Sequence, residues 1–174
     1  QMLQRVFWEA NKREITVVMD ADALNLLTKL KLSAKLPKNL IITPHPGEAS
    51  RLLNKSIDEI ESNRFKAVSL LQEKYNCVAV LKGSGTLVCY KKGGKQKIGI
   101  CEAGNPGMAS GGMGDILTGI IAGFLAQGLS SIEAAELGVD IHAKAADLKS
   151  LETGEAGLLA SDVLEEVRQL LKYE

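Results

Sequence analysis

The chain has 174 residues, 45% of them hydrophobic, which is the size and composition of one globular domain with a packed core. Lysine and arginine together number 21, as do aspartate and glutamate, so the formal net charge is zero and nothing suggests nucleic-acid binding. No apolar stretch is long enough to cross a bilayer and the first residues do not resemble a secretory signal, so we expect a cytoplasmic protein without membrane contact.

The first half of the sequence alternates between short apolar runs and stretches with helical periodicity. Continuous apolar runs of this kind, rich in β-branched residues, are typical of parallel strands that are buried on both faces. The stretches between them predict βαβ units, including one crossover helix over residues 56–75 with Ser56 or Asp58 as its cap. The three predicted strands lie at residues 15–20, 40–43 and 77–82.

The second half predicts a hairpin followed by helices. Strand-forming runs flank Gly93 and Gly94, which suit a tight antiparallel turn, so a β-hairpin is expected near residues 86–101. Three helices are predicted after the hairpin. The first begins at Asp115 or Ile116, the second is long and rich in alanine, and the last is capped by Ser161 or Asp162. These helices are predicted at residues 115–127, 131–151 and 161–171.

The domain organisation predicted is a single domain over residues 1–174. No internal repeat, linker or low-complexity tract interrupts the chain. A helix at residues 2–11 precedes the first strand, whereas doubly wound sheets usually begin on a strand, so part of a larger domain is expected upstream. Three widely spaced cysteines in apolar runs, Cys77, Cys89 and Cys101, fit buried reduced thiols.

Residues 104–119 carry the strongest functional signal, five glycines within eleven residues directly before an apolar helix. Glycines let backbone N–H groups converge, and the start of a helix adds positive potential, so this loop is suited to hold a phosphoryl group. It is not a Walker loop, because no Lys-Ser/Thr pair follows the glycines. A flexible loop ending in a helix cap is the alternative. The glycines are Gly104, Gly107, Gly111, Gly112 and Gly114.

Asp115 follows the last of these glycines. A carboxylate is unfavourable for plain anion binding, yet a hydroxyl that attacks phosphorus needs a base to take its proton. Asp115 is therefore predicted to be a general base. Capping of its helix is the alternative, and the two roles are compatible.

A second segment, TPHPGE at residues 43–48, follows a predicted buried strand and so lies on the ligand side of an open α/β sheet. Pro44 and Pro46 stiffen the loop around His45, which favours contact between its imidazole and a substrate. Glu48 falls in the first turn of the next helix. It is predicted either to contact a substrate or to stabilise the start of that helix, and the sequence does not choose between the two roles. The other histidine, His142, lies in an alanine-rich helix and is predicted to be a packing or surface residue.

Two further segments carry weaker signals. KGSGT at residues 82–86 exposes backbone N–H groups after a strand, and Lys82 offers a charge for phosphate, although an ordinary β-turn is the alternative. Asp20, Asp22 and Asn25 lie at a strand-to-helix junction, where Asp22 is predicted to cap the helix while the other two reach toward a pocket.

These four segments, DADALN, TPHPGE, KGSGT and GNPGMASGGMGD, resemble in this order the NAD(P)H-hydrate dehydratase family, from about residue 17 onward. The resemblance implies an α/β fold of the ribokinase-like type, with a mostly parallel sheet flanked by helices. It implies that ADP or ATP drives the dehydration of hydrated NAD(P)H to NAD(P)H with release of phosphate, a lyase reaction assisted by Mg²⁺. The KGSGT form is similar to the bacterial and archaeal members, which use ADP. A homo-oligomer, often a tetramer, is also implied.

The resemblance further implies roles for individual residues. Asp115 would be the catalytic base, and His45, Glu48 and Asn105 would contact the hydrated nicotinamide, while the ligands of the metal stay unassigned. Met113 stands where Ser or Thr is common, so contacts there would come from the backbone. Because the family has further residues upstream, the chain would be the C-terminal portion of a longer domain. The nucleotide would be bound by Lys82, Gly83, Ser84, Gly85, Thr86, Gly111, Gly112 and Gly114.

Two other functions stay open. A small-molecule kinase of the same superfamily, acting on a pyrimidine- or thiazole-type substrate, would use Asp115 and its glycine loop in the same way. The HPGE and KGSGT segments favour the dehydratase. A non-catalytic fragment is the second alternative. It would either bind nucleotide without turnover or serve as an assembly subunit, because absent upstream strands would leave a sheet edge exposed.

Overall fold

The structure is a computed structural model that describes residues 2–30 and 35–173. Its strands are β1 (Val17–Met19), β2 (Leu40–Ile42), β3 (Val78–Leu81), β4 (Thr86–Lys92) and β5 (Lys95–Cys101). Its α-helices are α1 (Met2–Arg13), α2 (Ala21–Lys29), α3 (Pro46–Leu53), α4 (Ile57–Ser62), α5 (Arg64–Tyr75), α6 (Met113–Ala126), α7 (Ser131–Thr153) and α8 (Ala160–Leu170). Short 3₁₀ turns lie at Pro106–Ala109 and Leu171–Tyr173.

The strands form one sheet in the order β1-β2-β3-β4-β5. The first three are parallel, with Val18 opposite Ile41 and Ile41 opposite Val78, and β4 runs antiparallel to β3. Gly93 and Gly94 form the turn into β5. The prediction of three parallel strands followed by a hairpin is confirmed. β2 and β3 are buried along their length, whereas β1 and β5 are the edges of the sheet.

The chain falls into two compact units, one of residues 1–83 with 87–100 and one of residues 84–86 with 101–174. In the first unit the sheet and its helices share an apolar core that includes Phe7, Leu52 and Leu71, each 1% exposed or less. Burial of such apolar side chains is the main source of stability for a compact unit with a single core.

The second unit is built on α6, α7 and α8. Small side chains on α7 are fully buried, among them Ala134, Ala135, Ala145 and Ala146, and these let the neighbouring helices approach closely. Although α7 has 23 residues, none of the described helices combines the length and the apolarity that a membrane crossing needs.

Several predicted helix boundaries were wrong. The single crossover helix at residues 56–75 is two helices, because Asn63 leaves the helical conformation and its Oδ1 accepts a hydrogen bond from Lys66 N at 2.9 Å, which caps α5. Ser56 does cap α4, as predicted, accepting from Glu59 N at 3.1 Å. The last helix begins at Ala160, one residue before the predicted start at residue 161, and its capping position is Leu159, not Ser161 or Asp162.

The cysteines carry free thiols. Cys77 and Cys89 are buried, as predicted, whereas Cys101 at the end of β5 is only half-buried. Burial raises the pKa of all three thiols, which keeps them protonated and unreactive at neutral pH.

Candidate active site

In the first unit, the ends of the three parallel strands bring polar residues together. Backbone pairing continues one step beyond each strand, since Thr43 N donates to Met19 O at 3.1 Å and Lys82 N donates to Pro44 O at 2.9 Å. Parallel strands place their carboxyl ends along the same edge, which is where open α/β sheets bind ligands. Asp20, His45 and Lys82 follow β1, β2 and β3, respectively, and therefore lie along this edge.

Lys82 is the centre of a partly buried ion-pair cluster. Its Nζ lies 2.8 Å from Asp20 Oδ1 and 3.9 Å from Glu48 Oε2. The three side chains are only 20%, 10% and 6% exposed, respectively. Two carboxylates and one ammonium leave one formal negative charge, so the ammonium that the sequence suggests for phosphate is already compensated by carboxylates.

His45 and Glu48 form a capping box at the start of α3. His45 Nδ1 accepts a hydrogen bond from Gly47 N at 3.0 Å, and His45 N donates to Glu48 Oε2 at 2.8 Å. The helix-stabilising role considered for Glu48 is thus present, and Glu48 is also part of the ion-pair cluster.

The same capping contact determines the proton on the imidazole of His45. Because Nδ1 accepts a hydrogen bond, the neutral ring carries its proton on Nε2. Nε2 lies 3.6 Å from Glu48 Oε1, beyond hydrogen-bond distance, and the side chain is 52% exposed. His45 therefore presents an N–H donor that a ligand can reach.

Arg64 holds the beginning of the KGSGT segment and was missed in the sequence analysis. It is the first residue of α5, and its Nη2 donates to Leu81 O at 3.3 Å and to Lys82 O at 3.2 Å. A β-carbon on Gly83 would lie 2.8 Å from the same nitrogen, so the guanidinium packs directly against the segment. No local motif marks Arg64, because its role depends on the packing of α5 beside β3.

In the second unit, the glycine-rich loop is held by hydrogen bonds from its own Asn105 and from α7. Asp147 Oδ2 accepts from Gly104 N at 2.8 Å, and Asp147 Oδ1 accepts from Asn105 Nδ2 at 2.9 Å. Asn105 Oδ1 in turn accepts from Gly107 N at 3.1 Å. No local sequence pattern indicates this role of Asp147, since 42 residues separate it from Asn105.

The loop also lies against the segment between α7 and α8. A β-carbon on Gly107 would meet Glu155 O at 2.4 Å, a distance that no side chain tolerates. Ser110 Oγ donates to Leu158 O at 2.9 Å. By contrast, Gly111 has open space around it, so the backbone constraint expected from five glycines is not uniform along the loop.

Asp115 lies in the first turn of α6 and is exposed. The helix begins at Met113, two residues before the predicted start, and Gly112 occupies the capping position with a φ of 88°. Capping by Asp115, the alternative considered from the sequence, is therefore not its role. The free N–H groups and the dipole of the helix start place positive potential beside this carboxylate.

The remaining sequence-predicted residues have more local roles. Asp22 lies inside the first turn of α2, where Asp20 and not Asp22 occupies the capping position. Asn25 Oδ1 accepts from Arg51 Nε at 2.8 Å and so joins α2 to α3. His142 is buried in α7, as expected of a packing residue.

Within the described ranges, no group of three or more His, Cys, Asp or Glu side chains is arranged to hold a metal ion. Mg²⁺ in nucleotide-dependent enzymes is bound by phosphate oxygens and one or two carboxylates, so it needs no such cage.

Comparison with known proteins finds a family model described as NAD(P)H-hydrate dehydratase that matches residues 1–169. The bifunctional NAD(P)H-hydrate repair enzyme Nnr of Coxiella burnetii is 52% identical over 158 residues, which cover 91% of this chain and 31% of that protein. The ADP-dependent (S)-NAD(P)H-hydrate dehydratase of Neisseria meningitidis is 42% identical, covering 88% of this chain and 52% of that protein.

Solved structures agree with this grouping. The ADP/ATP-dependent NAD(P)H-hydrate dehydratase of Bacillus subtilis, co-crystallised with ATP/Mg²⁺, superimposes with a TM-score of 0.80 at 29% identity, covering 90% of this chain and 54% of that chain. A ribokinase of Arabidopsis thaliana has a TM-score of 0.55 at 18% identity over 99% of this chain and 53% of its own, which is a likeness of fold alone. The ribokinase-like α/β fold is thereby confirmed. The chain spans between about a third and about half of the curated relatives that it matches.

Proposed function

We propose, from the premise that this chain belongs to the NAD(P)H-hydrate dehydratase family, that it takes part in the ADP-dependent dehydration of hydrated NAD(P)H. The products would be AMP, phosphate and NAD(P)H, with ATP giving ADP as the alternative co-substrate. The observation that carries the proposal is the exposed carboxylate of Asp115 at the start of α6, directly after a glycine-rich loop of defined geometry.

The loop and the start of α6 are proposed to hold the transferred phosphoryl group. The first N–H groups of a helix have no partner within the helix and carry the positive end of its dipole, and together they attract phosphate. Gly112 at the capping position brings the backbone close without a side chain in the way. The proposed nucleotide-binding residues are Lys82, Gly83, Ser84, Gly85, Thr86, Gly111, Gly112 and Gly114.

The proposed chemistry makes the ring hydroxyl a better leaving group. Asp115 takes the hydroxyl proton while the oxygen attacks the terminal phosphorus of ADP, and the bond from that phosphorus to AMP breaks. The lone pair of the ring nitrogen then expels phosphate, and loss of a proton from the neighbouring ring carbon restores the double bond. Phosphate leaves far more readily than hydroxide, which is why a kinase-like first step serves a dehydration.

The strand-end residues are proposed to recognise the hydrated nicotinamide. His45 offers its Nε2–H as a donor, with the ring direction set by the bond between Nδ1 and Gly47 N. Glu48 would keep this geometry through its contacts with His45 N and Lys82. Asn105 would contribute the second N–H of its amide, because the first is used by Asp147.

Three further features are proposed from the family. Mg²⁺ would accompany the nucleotide, as the Bacillus subtilis co-crystal suggests. The working enzyme would be a cytoplasmic homo-oligomer, with a tetramer as the expected number of subunits, in which the chain forms the C-terminal portion of the domain.

The direct test incubates the purified chain with hydrated NADH, Mg²⁺ and either ADP or ATP, and follows the absorbance of restored NADH. Restoration with ADP, together with equimolar phosphate, would support the proposal. A stable phosphorylated product without restored NADH would instead support a kinase. Absence of both would support a non-catalytic role. A rise in melting temperature on adding ADP would then indicate a nucleotide-binding fragment, and no rise would indicate an assembly subunit.

Asp115→Asn tests the assigned base within the same assay. Turnover is expected to fall at least a hundredfold, the usual contribution of a general base, while ADP affinity stays similar or rises because a repelling charge is gone. Asp140→Asn is the matched control, since Asp140 forms its ion pair with Lys144 on the exposed side of α7. Equal turnover in the Asp115 variant and the control would remove Asp115 from the mechanism.

A further inference from the structure

The hydrogen bonds around Asn105 leave its amide only one orientation. Its Nδ2 end faces Asp147 Oδ1, which can only accept, and its Oδ1 end faces Gly107 N, which can only donate. Reversing the amide would place donor against donor at Gly107 and acceptor against acceptor at Asp147. The second oxygen of Asp147 accepts from Gly104 N. A single carboxylate therefore holds Gly104 directly and Gly107 through the amide of Asn105.

We infer that Asp147 is a positioning residue for the glycine-rich loop, acting through the orientation of the Asn105 amide. A charged acceptor makes stronger hydrogen bonds than a neutral one, and Asp147 makes two of them to neighbouring positions. The loop in turn has little freedom at Gly107, which lies against Glu155 O. The backbone between Gly104 and Gly107 is thus fixed from α7 on one side and from residue 155 on the other.

This position matters for binding because the donors of an anion site must be directed before the ligand arrives. Ordering a loop on binding costs affinity, so a loop that is already ordered binds more tightly and holds its charge-stabilising groups in place during the reaction. What the loop binds rests on the proposed function. The positioning by Asp147 rests only on the hydrogen bonds of the second unit.

A reciprocal exchange of the two side chains isolates this role. In Asp147→Asn alone, two amides face each other, so one of the three hydrogen bonds must be lost: the bond to Gly104, the bond to Gly107, or the bond that joins the two side chains. In Asn105→Asp alone, two carboxylates come to about hydrogen-bond distance and repel each other. In the double variant, the new amide at position 147 donates to the new carboxylate at position 105 and accepts from Gly104 N. That carboxylate accepts from Gly107 N, so all three hydrogen bonds are restored with the same total charge.

Amide hydrogen exchange of Gly104 and Gly107 is the readout that does not depend on turnover. Selective ¹⁵N-glycine labelling gives one NMR signal for each glycine, and exchange is followed at each. We expect at least tenfold faster exchange at one or both glycines in each single variant, and rates within threefold of the wild type in the double variant. Asp140→Asn, the same chemical change on the same helix, is expected to leave both rates unchanged.

Turnover with hydrated NADH and ADP provides the functional readout. The Asp147→Asn variant is expected to lose at least tenfold in kcat/KM for ADP, and the double variant to recover most of that loss. Unchanged exchange in Asp147→Asn, or failure of the double variant to restore it, would overturn the inference. If exchange behaves as expected while the wild type shows no turnover, the positioning role stands and the proposed function fails.

Discussion

Replacing Lys82 by methionine should destabilise the first unit strongly, because it leaves two carboxylates together with no cation. Methionine keeps the length of the side chain but not the charge. Lys82 Nζ lies 2.8 Å from Asp20 Oδ1 and 3.9 Å from Glu48 Oε2. With an effective dielectric constant of about 20, these distances correspond to attractions of roughly 6 and 4 kcal/mol before desolvation.

The net cost is smaller than that sum, because burying the charges already costs free energy in the wild type. Removing one partner from a buried ion pair typically lowers the free energy of unfolding by about 3–5 kcal/mol. For a chain of this size that corresponds to a fall in melting temperature of about 6–20 °C. Asp20→Asn should cost less, about 1–2 kcal/mol, because Glu48 still compensates Lys82 and the amide oxygen still accepts a hydrogen bond.

Lys144→Met is the control that separates distance from burial. Lys144 Nζ lies 2.7 Å from Asp140 Oδ2, nearly the same distance as in the Lys82 pair, but these two side chains are 57% and 42% exposed. Water screens such a pair, so little change in stability is expected. Thermal unfolding of the three variants by far-UV circular dichroism makes the comparison. Equal losses for Lys82→Met and Lys144→Met, or a smaller loss for Lys82→Met than for Asp20→Asn, would refute the reasoning.

Three further changes test other parts of the structure. His45→Ala should lower the free energy of unfolding by about 1 kcal/mol by removing a helix cap, whereas His45→Asn should restore stability but not the KM for hydrated NADH; a normal KM in the asparagine variant would contradict a contact by the imidazole. Gly107→Ala should cost about 1–3 kcal/mol and weaken stabilisation by ADP, while Gly119→Ala, at an exposed position of α6 with open space, should lower neither, as thermal shift assays would show. Above about pH 9 stability should fall, because burial raises the pKa of Cys77 above its usual 9.0 and that of Tyr75 from 10.0 to about 12, so the unfolded state ionises first. The free energy of unfolding measured by urea titration should fall by up to about 1.4 kcal/mol per pH unit for Cys77, and Tyr75→Phe should flatten its decline from pH 10 to 12.

The parts of the fold that sequence analysis predicted correctly are those with local causes. β-branched runs mark β1 to β3, and two consecutive glycines mark the turn between β4 and β5. The strand-end position of His45 also followed from local order, since a residue directly after a buried parallel strand must lie at the ligand edge. The break at Asn63 was missed because helical periodicity continues across it, and only the capping bond to Lys66 N shows where a new helix starts.

The residues that sequence analysis missed act across long stretches of chain. Arg64 contacts carbonyl groups 17 and 18 residues away, and Asp147 contacts positions 42 and 43 residues away. Neither belongs to a recognisable motif. An arginine or aspartate on a helix surface is usually a solvated charge, so neither residue stands out in the sequence. Lys82 was predicted as a site residue, but its ion pairs with two carboxylates were not. The second of these carboxylates, Glu48, comes from α3.

The two edges of the sheet differ in chemistry. β5 exposes Lys95 and Lys97, and edge lysines oppose the addition of another strand because the newcomer would have to bury their charges. β1 consists of Val17, Val18 and Met19 without a charged side chain. Growth of this sheet, by any strand from the same polypeptide or from another, is therefore favoured beside β1 and disfavoured beside β5, which gives the fold a single direction of extension.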